Sequence, residues 1–151
     1  MRLMGIDLGE ARIGIALSDP TGTVASPLEV LEATGDEEAD IGRLLALGVR
    51  YGVEGFVVGL ARTLKGTEEV AAARTAEFAR RLAEVSGKPT YVWDERLTTV
   101  QAERSMLADG VKRRDRRRLV DKVAAALILQ SYLDACHGSL QEEKPISKAD
   151  P

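Results

Sequence analysis

Cysteine, histidine and aromatic residues are scarce in this 151-residue chain, which has one Cys, one His and 4% aromatics. A lone Cys136 excludes an internal disulfide, and with the lone His137 it cannot build a zinc site of the usual four ligands. Neighbouring residues on a helix point about 100° apart, which disfavours a Cys–His nucleophile pair. The chemistry of this chain therefore has to come from other residue types.

The chain also lacks long apolar runs and aromatic residues interleaved with basic ones. No run approaches the roughly 20 apolar residues that span a bilayer, and Met1–Gly5 leads into a strand pattern without the regions of a signal peptide. We therefore expect a cytoplasmic protein without a membrane partner. Without an aromatic platform for stacking bases, any nucleic acid would be recognised by its backbone and shape.

The remaining composition is that of an ordinary globular domain. Hydrophobic residues make up 44% of the chain and charged residues 30%, and the net charge is −3. This length fits one domain with a sizeable core. We predict a single domain over 1–138 and a flexible polar tail over 139–151.

Periodicity predicts three strands followed by alternating helices and strands. Short turns between the first three strands require antiparallel pairing, and strand–helix–strand units require parallel pairing. The prediction is an α/β fold with a five-stranded mixed sheet, three antiparallel strands and then two parallel strands, and helices on both faces. The predicted strands are Leu3–Leu8, Arg12–Ser18, Thr23–Val30, Gly55–Leu60 and Thr90–Trp93. The predicted helices are Asp36–Arg50, Glu68–Val85, Thr98–Asp109 and Asp115–Cys136.

Acidic residues occur at three positions where a buried element is predicted. Asp7 lies in an apolar strand, with Gly5 and Gly9 expected to open space around it; the alternative is an exposed acid at a strand end. Asp94 and Glu95 end the fifth strand, where Glu95 has the longer reach and Asp94 suits a structural role.

The third of these positions is Asp121, which lies near the apolar side of the last helix. Small alanines follow it, which would let the helix pack closely on a sheet. An ion pair with Arg117 or Arg118 on a solvated face is the alternative. Three carboxylates from separate elements can hold Mg²⁺ or Mn²⁺, and two such ions can hydrolyse a phosphodiester without a Ser or Cys nucleophile.

Four stretches in this order resemble the YqgF family, also called RuvX, over about residues 2–135. The family belongs to the ribonuclease H-like superfamily and comprises Holliday-junction resolvases and pre-16S rRNA nucleases. The matching stretches are Gly5-Ile6-Asp7-Leu8-Gly9 with Arg12-Ile13-Gly14-Ile15-Ala16, Val57-Val58-Gly59-Leu60 with Gly66-Thr67, Asp94-Glu95-Arg96-Leu97-Thr98-Thr99, and Val120-Asp121 with Ala124-Ala125 and Ile128-Leu129-Gln130.

The resemblance implies an acidic site of Asp7, Glu95 and Asp121, and a sheet with the first and fourth strands adjacent at its centre. Two features depart from the pattern. Ala61 replaces a proline and Thr63 stands near the usual asparagine, which puts a substrate contact of that loop in doubt. The fourth strand carries no acid, unlike that of related junction resolvases, so the second ligand has to be Glu95.

A basic run beside the last helix is the main candidate for holding a substrate. Residues 112–118 carry six basic side chains in seven, and Lys112, Arg113, Arg114 and Arg116 are the predicted contacts. Such a run is usually a solvated face, but a polyanion needs cations close to the groups that cut it. Further candidates for substrate binding are Arg12, Lys65 and Thr98, of which Thr98 is equally suited to capping a helix.

The leading hypothesis is a metal-dependent nuclease acting on RNA, with the 5′ end of pre-16S ribosomal RNA as substrate. The nearest alternative is a resolvase cutting branched DNA, which requires a dimer with paired sites. Two further alternatives are a non-catalytic RNA-binding module and an actin-like nucleotide-binding domain. The expected partner is thus a nucleic acid, with RNA favoured over DNA, and the chain is expected to be a monomer or a homodimer.

Overall fold

One five-stranded mixed sheet organises the chain, for which a computed structural model describes residues 1–9, 11–59, 68–93 and 113–138. Its spatial order is β3-β2-β1-β4-β5. The pairs β1–β2 and β2–β3 are antiparallel, whereas β1–β4 and β4–β5 are parallel. The predicted fold class is confirmed, including the adjacency of the first and fourth strands at the centre. The strands are β1 Leu3–Leu8, β2 Arg12–Ser18, β3 Ala25–Glu32, β4 Gly55–Gly59 and β5 Thr90–Trp93.

Three helices are described, and they cover both faces of the sheet. They are α1 Glu37–Tyr51, α2 Glu68–Ser86 and α3 Arg113–Gly138. None of the helices in the described ranges is long and apolar enough to cross a membrane. The predicted helix over 98–109 and the predicted tail over 139–151 lie outside the described residues.

The third strand begins two residues later than predicted because an aspartate holds the preceding turn. Asp19 accepts hydrogen bonds from the backbone N–H groups of Thr23 and Val24, at 2.7 and 3.0 Å. Those two residues therefore belong to the turn, and β3 continues to Glu32. Pro27 lies beside an irregularity in the pairing with β2, where the register shifts between Ile15 and Ala16.

The two faces of the sheet carry separate cores because side chains alternate along each strand. On one face, even-numbered residues of β1 pack against α1 and α2 around fully buried Phe56. On the other, Leu3, Ala16 and Val57 pack against the apolar side of α3. The second face also carries Asp7, which places the candidate site between the sheet and α3.

A buried carboxylate fastens α1 to the end of β3. Asp40 accepts hydrogen bonds from the Thr34 backbone N–H at 3.2 Å, the Thr34 hydroxyl at 2.9 Å and Arg43 Nη2 at 2.6 Å. Burial by itself would raise the pKa of Asp40, but the hydrogen bonds from Arg43 and Thr34 outweigh it and lower that pKa below its ordinary value. The charged form is therefore favoured in the folded state.

Replacing Asp40 with Asn should destabilise the fold at neutral pH by about 1–3 kcal/mol, because Arg43 loses its charged acceptor. The pKa of Asp40 is lower in the folded than in the unfolded chain, so its contribution is full above about pH 4 and is lost as pH falls through the folded value. The difference between wild type and Asp40→Asn in urea unfolding should thus shrink on acidification. Asp134→Asn, at an exposed site on α3, is the control, and a difference independent of pH would contradict this assignment.

Candidate active site

Asp7 is a buried acid near the carboxyl end of the central strand, with 7% of its surface exposed. Its register partners are Gly14 on β2 and Gly59 on β4, and Gly59 in turn pairs with Trp93 on β5. These four residues form one row across the sheet, which we call the site row: Gly14, Asp7, Gly59 and Trp93. Asp7 thus has a glycine on each side in the sheet, so neither neighbouring strand places a side chain next to it.

Helix α3 lies directly on the glycines of this face. A Cβ atom at Gly14 would stand 2.1 Å from the backbone oxygen of Asp121, and one at Gly59 would stand 2.3 Å from Cδ1 of Ile128. The Asp121 backbone therefore lies over Gly14, which is the β2 register partner of Asp7.

Arg12 and Asp121 form an ion pair across this face. Arg12 Nε donates to Asp121 Oδ2 at 2.6 Å, and the two side chains are 26% and 20% exposed. Arg117 or Arg118 was the alternative partner predicted for Asp121, and neither side chain is among those described. The observed partner comes instead from β2, so a predicted substrate cation and a predicted metal ligand are in direct contact.

The third predicted ligand, Glu95, and its neighbour Asp94 lie outside the described residues. The end of β5, which precedes them, is held by contacts with α3. Trp93 Nε1 donates to Ser131 Oγ of α3 at 3.0 Å, and the Trp93 ring meets Tyr132 edge-on with centroids 5.5 Å apart. Burial at this contact raises the pKa of Tyr132, so its hydroxyl stays neutral. The chain therefore leaves β5 from the site row, at the same edge as Asp7.

The predicted substrate contacts other than Arg12 are only partly within the described residues. Lys65, Thr98 and Lys112 lie outside them, and Arg113, Arg114 and Arg116 are described only as backbone of α3. These three residues occupy the first turn of the helix. At 1.5 Å per residue, Arg113 stands about 12 Å along the axis from Asp121.

Arg74 is a cation at this edge that the sequence analysis missed. It lies on the exposed side of α2, and its Nη2 donates to the backbone oxygen of Gly9 at 3.3 Å, in the turn that follows Asp7. Nothing in the alanine-rich sequence around Arg74 distinguishes it from other solvated helix positions. Its placement depends on how α2 crosses the sheet.

Among the described residues, no group of three His, Cys, Asp or Glu side chains is close enough to hold a metal ion. Two of the three predicted ligands fall in that part of the chain. The predicted three-carboxylate set therefore stays a prediction.

A five-stranded mixed sheet with this order and helices on both faces defines the ribonuclease H-like class of folds. Solved structures share this fold. A Thermus thermophilus RuvC in complex with a Holliday junction substrate superposes with a TM-score of 0.60 at 19% identity, covering 96% of this chain and 99% of that one. The fowlpox virus Holliday junction resolvase gives a TM-score of 0.54 at 15% identity, covering 89% and 99%.

The chain belongs to the RuvX family, because the family model, described as "RuvX: Holliday junction resolvase", matches residues 1–135. Among similar relatives, one from Pelotomaculum thermopropionicum is 45% identical over 135 residues, covering 89% of this chain and 88% of the relative. One from Symbiobacterium thermophilum is 48% identical over 135 residues, covering 89% and 93%. Both are named "Putative pre-16S rRNA nuclease". The resemblance drawn from the sequence is thus confirmed, and RuvX is a nuclease family.

Proposed function

We propose that this chain is a divalent-metal-dependent nuclease that hydrolyses phosphodiester bonds in RNA. Its metal ligands are Asp7, Glu95 and Asp121, and its ion is Mg²⁺ or Mn²⁺. The observation that carries the proposal is the packing of α3 on Gly14, which places the Asp121 backbone over the β2 neighbour of the buried Asp7. Carboxylates supplied by a strand and by the helix packed on it can bind a divalent ion together.

The residues present fit such an ion. Asp7 and Asp121 offer carboxylate oxygens, the donors that Mg²⁺ and Mn²⁺ prefer. A bound divalent ion would supply activation of water and stabilisation of the leaving oxygen. Asp7 is supplied by the central strand and Asp121 by the helix packed on it, so each acid is supported by a regular element. The glycines of the site row carry no side chain, which lets α3 pack closely on the sheet next to Asp7.

The proposed substrate is pre-16S ribosomal RNA, which is supported by the names of relatives that are 45% and 48% identical, and the proposed cleavage is at its 5′ end. Branched DNA is the second candidate, because the family model is described as a Holliday junction resolvase. Family membership favours either nuclease over the actin-like domain considered from the sequence.

Cleavage assays with both nucleic acids test the proposal. End-labelled RNA spanning the 5′ end of 16S and a labelled four-way DNA junction are incubated with the full chain and Mg²⁺ or Mn²⁺, alongside Asp121→Asn. We expect RNA cleavage that needs the metal ion and is lost in Asp121→Asn. Paired cuts in the junction, together with sedimentation of the chain as a dimer, would favour the resolvase. Binding of RNA without cleavage under any condition would point to a non-catalytic module.

The first turn of α3 is expected to hold the nucleic-acid backbone. Replacing Arg113, Arg114 and Arg116 with Ala should weaken binding and lower the slope of log affinity against log salt by about two to three, since each lost phosphate contact removes about 0.7–0.9. Fluorescence anisotropy over a salt series measures this slope.

A matched control removes the same charge from the opposite face of the sheet. Arg50, Arg80 and Arg81 lie on α1 and α2, and changing them together to Ala should leave the slope nearly unchanged. Equal slopes for wild type and the variant at 113, 114 and 116 would exclude this patch from the interface.

A further inference from the structure

The contact between Arg12 and Asp121 joins two parts of the chain that are 109 positions apart. Arg12 begins β2 and stands two residues before Gly14, so both lie on the face that α3 covers. The pair is largely shielded, with 26% and 20% of the side-chain surfaces exposed. At 2.6 Å it is a short charge-assisted hydrogen bond, which is stronger than one between neutral groups.

This ion pair and a divalent ion compete for one carboxylate. An oxygen that already accepts from a guanidinium has less negative charge to offer a metal ion. A guanidinium and a divalent ion against the same carboxylate also repel each other, most strongly where solvent is excluded. Metal binding at Asp121 is therefore opposed by Arg12 for as long as the contact persists.

We propose that Arg12 is the internal counter-cation of the site: it neutralises Asp121 while no metal is bound, and the divalent ion displaces it. The inference rests on the proposed function, because it requires Asp121 to be a metal ligand. The displaced guanidinium stays anchored at the β1–β2 turn that follows Asp7, since the Gly9 N–H donates to the Arg12 carbonyl at 3.0 Å. From there it can donate two parallel hydrogen bonds to a phosphate, which a guanidinium does well. Metal loading thereby makes a phosphate contact available.

The test is a Mn²⁺ titration of the full chain without nucleic acid, by calorimetry or electron paramagnetic resonance. Arg12→Gln should bind Mn²⁺ more tightly than wild type, on the order of fivefold, because the competing cation is gone. Without metal it should unfold at a lower temperature than wild type, and Mn²⁺ should raise its Tm by more. Arg12→Lys keeps the charge and should lie close to wild type. Arg80→Gln, on α2 across the sheet, is the matched control and should leave Mn²⁺ affinity unchanged.

A cleavage assay tests the phosphate contact of Arg12, which the Mn²⁺ titration does not measure. At saturating Mn²⁺ the metal site is filled in both proteins, so metal affinity no longer affects the rate. Arg12→Gln still lacks the phosphate contact, and it should therefore raise the KM for RNA by a larger factor than it lowers kcat.

Weaker or unchanged Mn²⁺ binding in Arg12→Gln would overturn the inference. Weaker binding would mean that Arg12 positions Asp121 for the metal, and unchanged binding would mean that the two do not compete. Neither outcome contradicts the proposed function, provided that wild type binds Mn²⁺. A wild-type chain that binds no Mn²⁺ would overturn the proposed function and this inference together.

Discussion

Asp7→Asn is expected to lower metal-dependent cleavage by at least about 10²-fold, since changing groups that only support a metal ligand already costs about 10–100-fold. Asparagine has the same shape and keeps one oxygen, so it fits between Gly14 and Gly59. The change removes the charge that holds a divalent ion and leaves the packing of β1 in place. Single-turnover cleavage of labelled RNA measures the effect, and thermal unfolding checks that the variant is folded.

Asp134→Asn is the matched control for this experiment. Asp134 is exposed on α3 and accepts a hydrogen bond from Gln130 Nε2 at 2.9 Å, a bond that the asparagine oxygen can still accept. Its cleavage rate should equal that of wild type. Undiminished cleavage in a folded Asp7→Asn variant would remove Asp7 from the site.

The largest expected effect on stability comes from Gly14→Ala. Its Cβ would stand 2.1 Å from the oxygen and 2.6 Å from the carbonyl carbon of Asp121, both backbone atoms that no rotamer change can move. The helix has to shift away from the sheet, and overpacking of this kind costs about 3 kcal/mol or more. Urea unfolding measures the loss, and cleavage should fall as well because Asp121 moves with α3.

Gly42→Ala separates this clash from the general effect of adding a methyl group. A Cβ at Gly42 on α1 has no heavy atom within 4 Å. Because alanine is favoured over glycine inside a helix, this variant should be about 0.5–1 kcal/mol more stable than wild type. If Gly14→Ala unfolds at the same urea concentration as wild type, the close contact between α3 and the sheet is not present.

The strands were predictable because each carries a strong local pattern. The bounds of β1, β2 and β5 agree with the sequence prediction, since apolar runs bounded by turn residues define them. The start of β3 was wrong because Asp19 holds Thr23 and Val24 in a turn through its side chain. Hydrophobic periodicity carries no information about such a side-chain hydrogen bond.

Glycines beside Asp7 were predictable from the sequence, but which glycines they are was not. Gly5 and Gly9 were expected to open space around Asp7, but Gly5 faces Leu129 of α3, and Gly9 closes the turn to Arg12. The glycines beside Asp7 are its register partners on β2 and β4, which no local spacing reveals. The partner of Asp121 escaped prediction for the same reason, because Arg12 is its neighbour only after the sheet and α3 have assembled.

The most direct test of the account is a Mn²⁺ titration of wild type, Asp7→Asn and Asp134→Asn, read by calorimetry on the full chain. The account predicts that wild type and Asp134→Asn bind Mn²⁺ with the same affinity and that Asp7→Asn loses this binding while remaining folded. Binding of Mn²⁺ to Asp7→Asn with wild-type affinity would contradict the central claim that the acid at the centre of the sheet is a metal ligand.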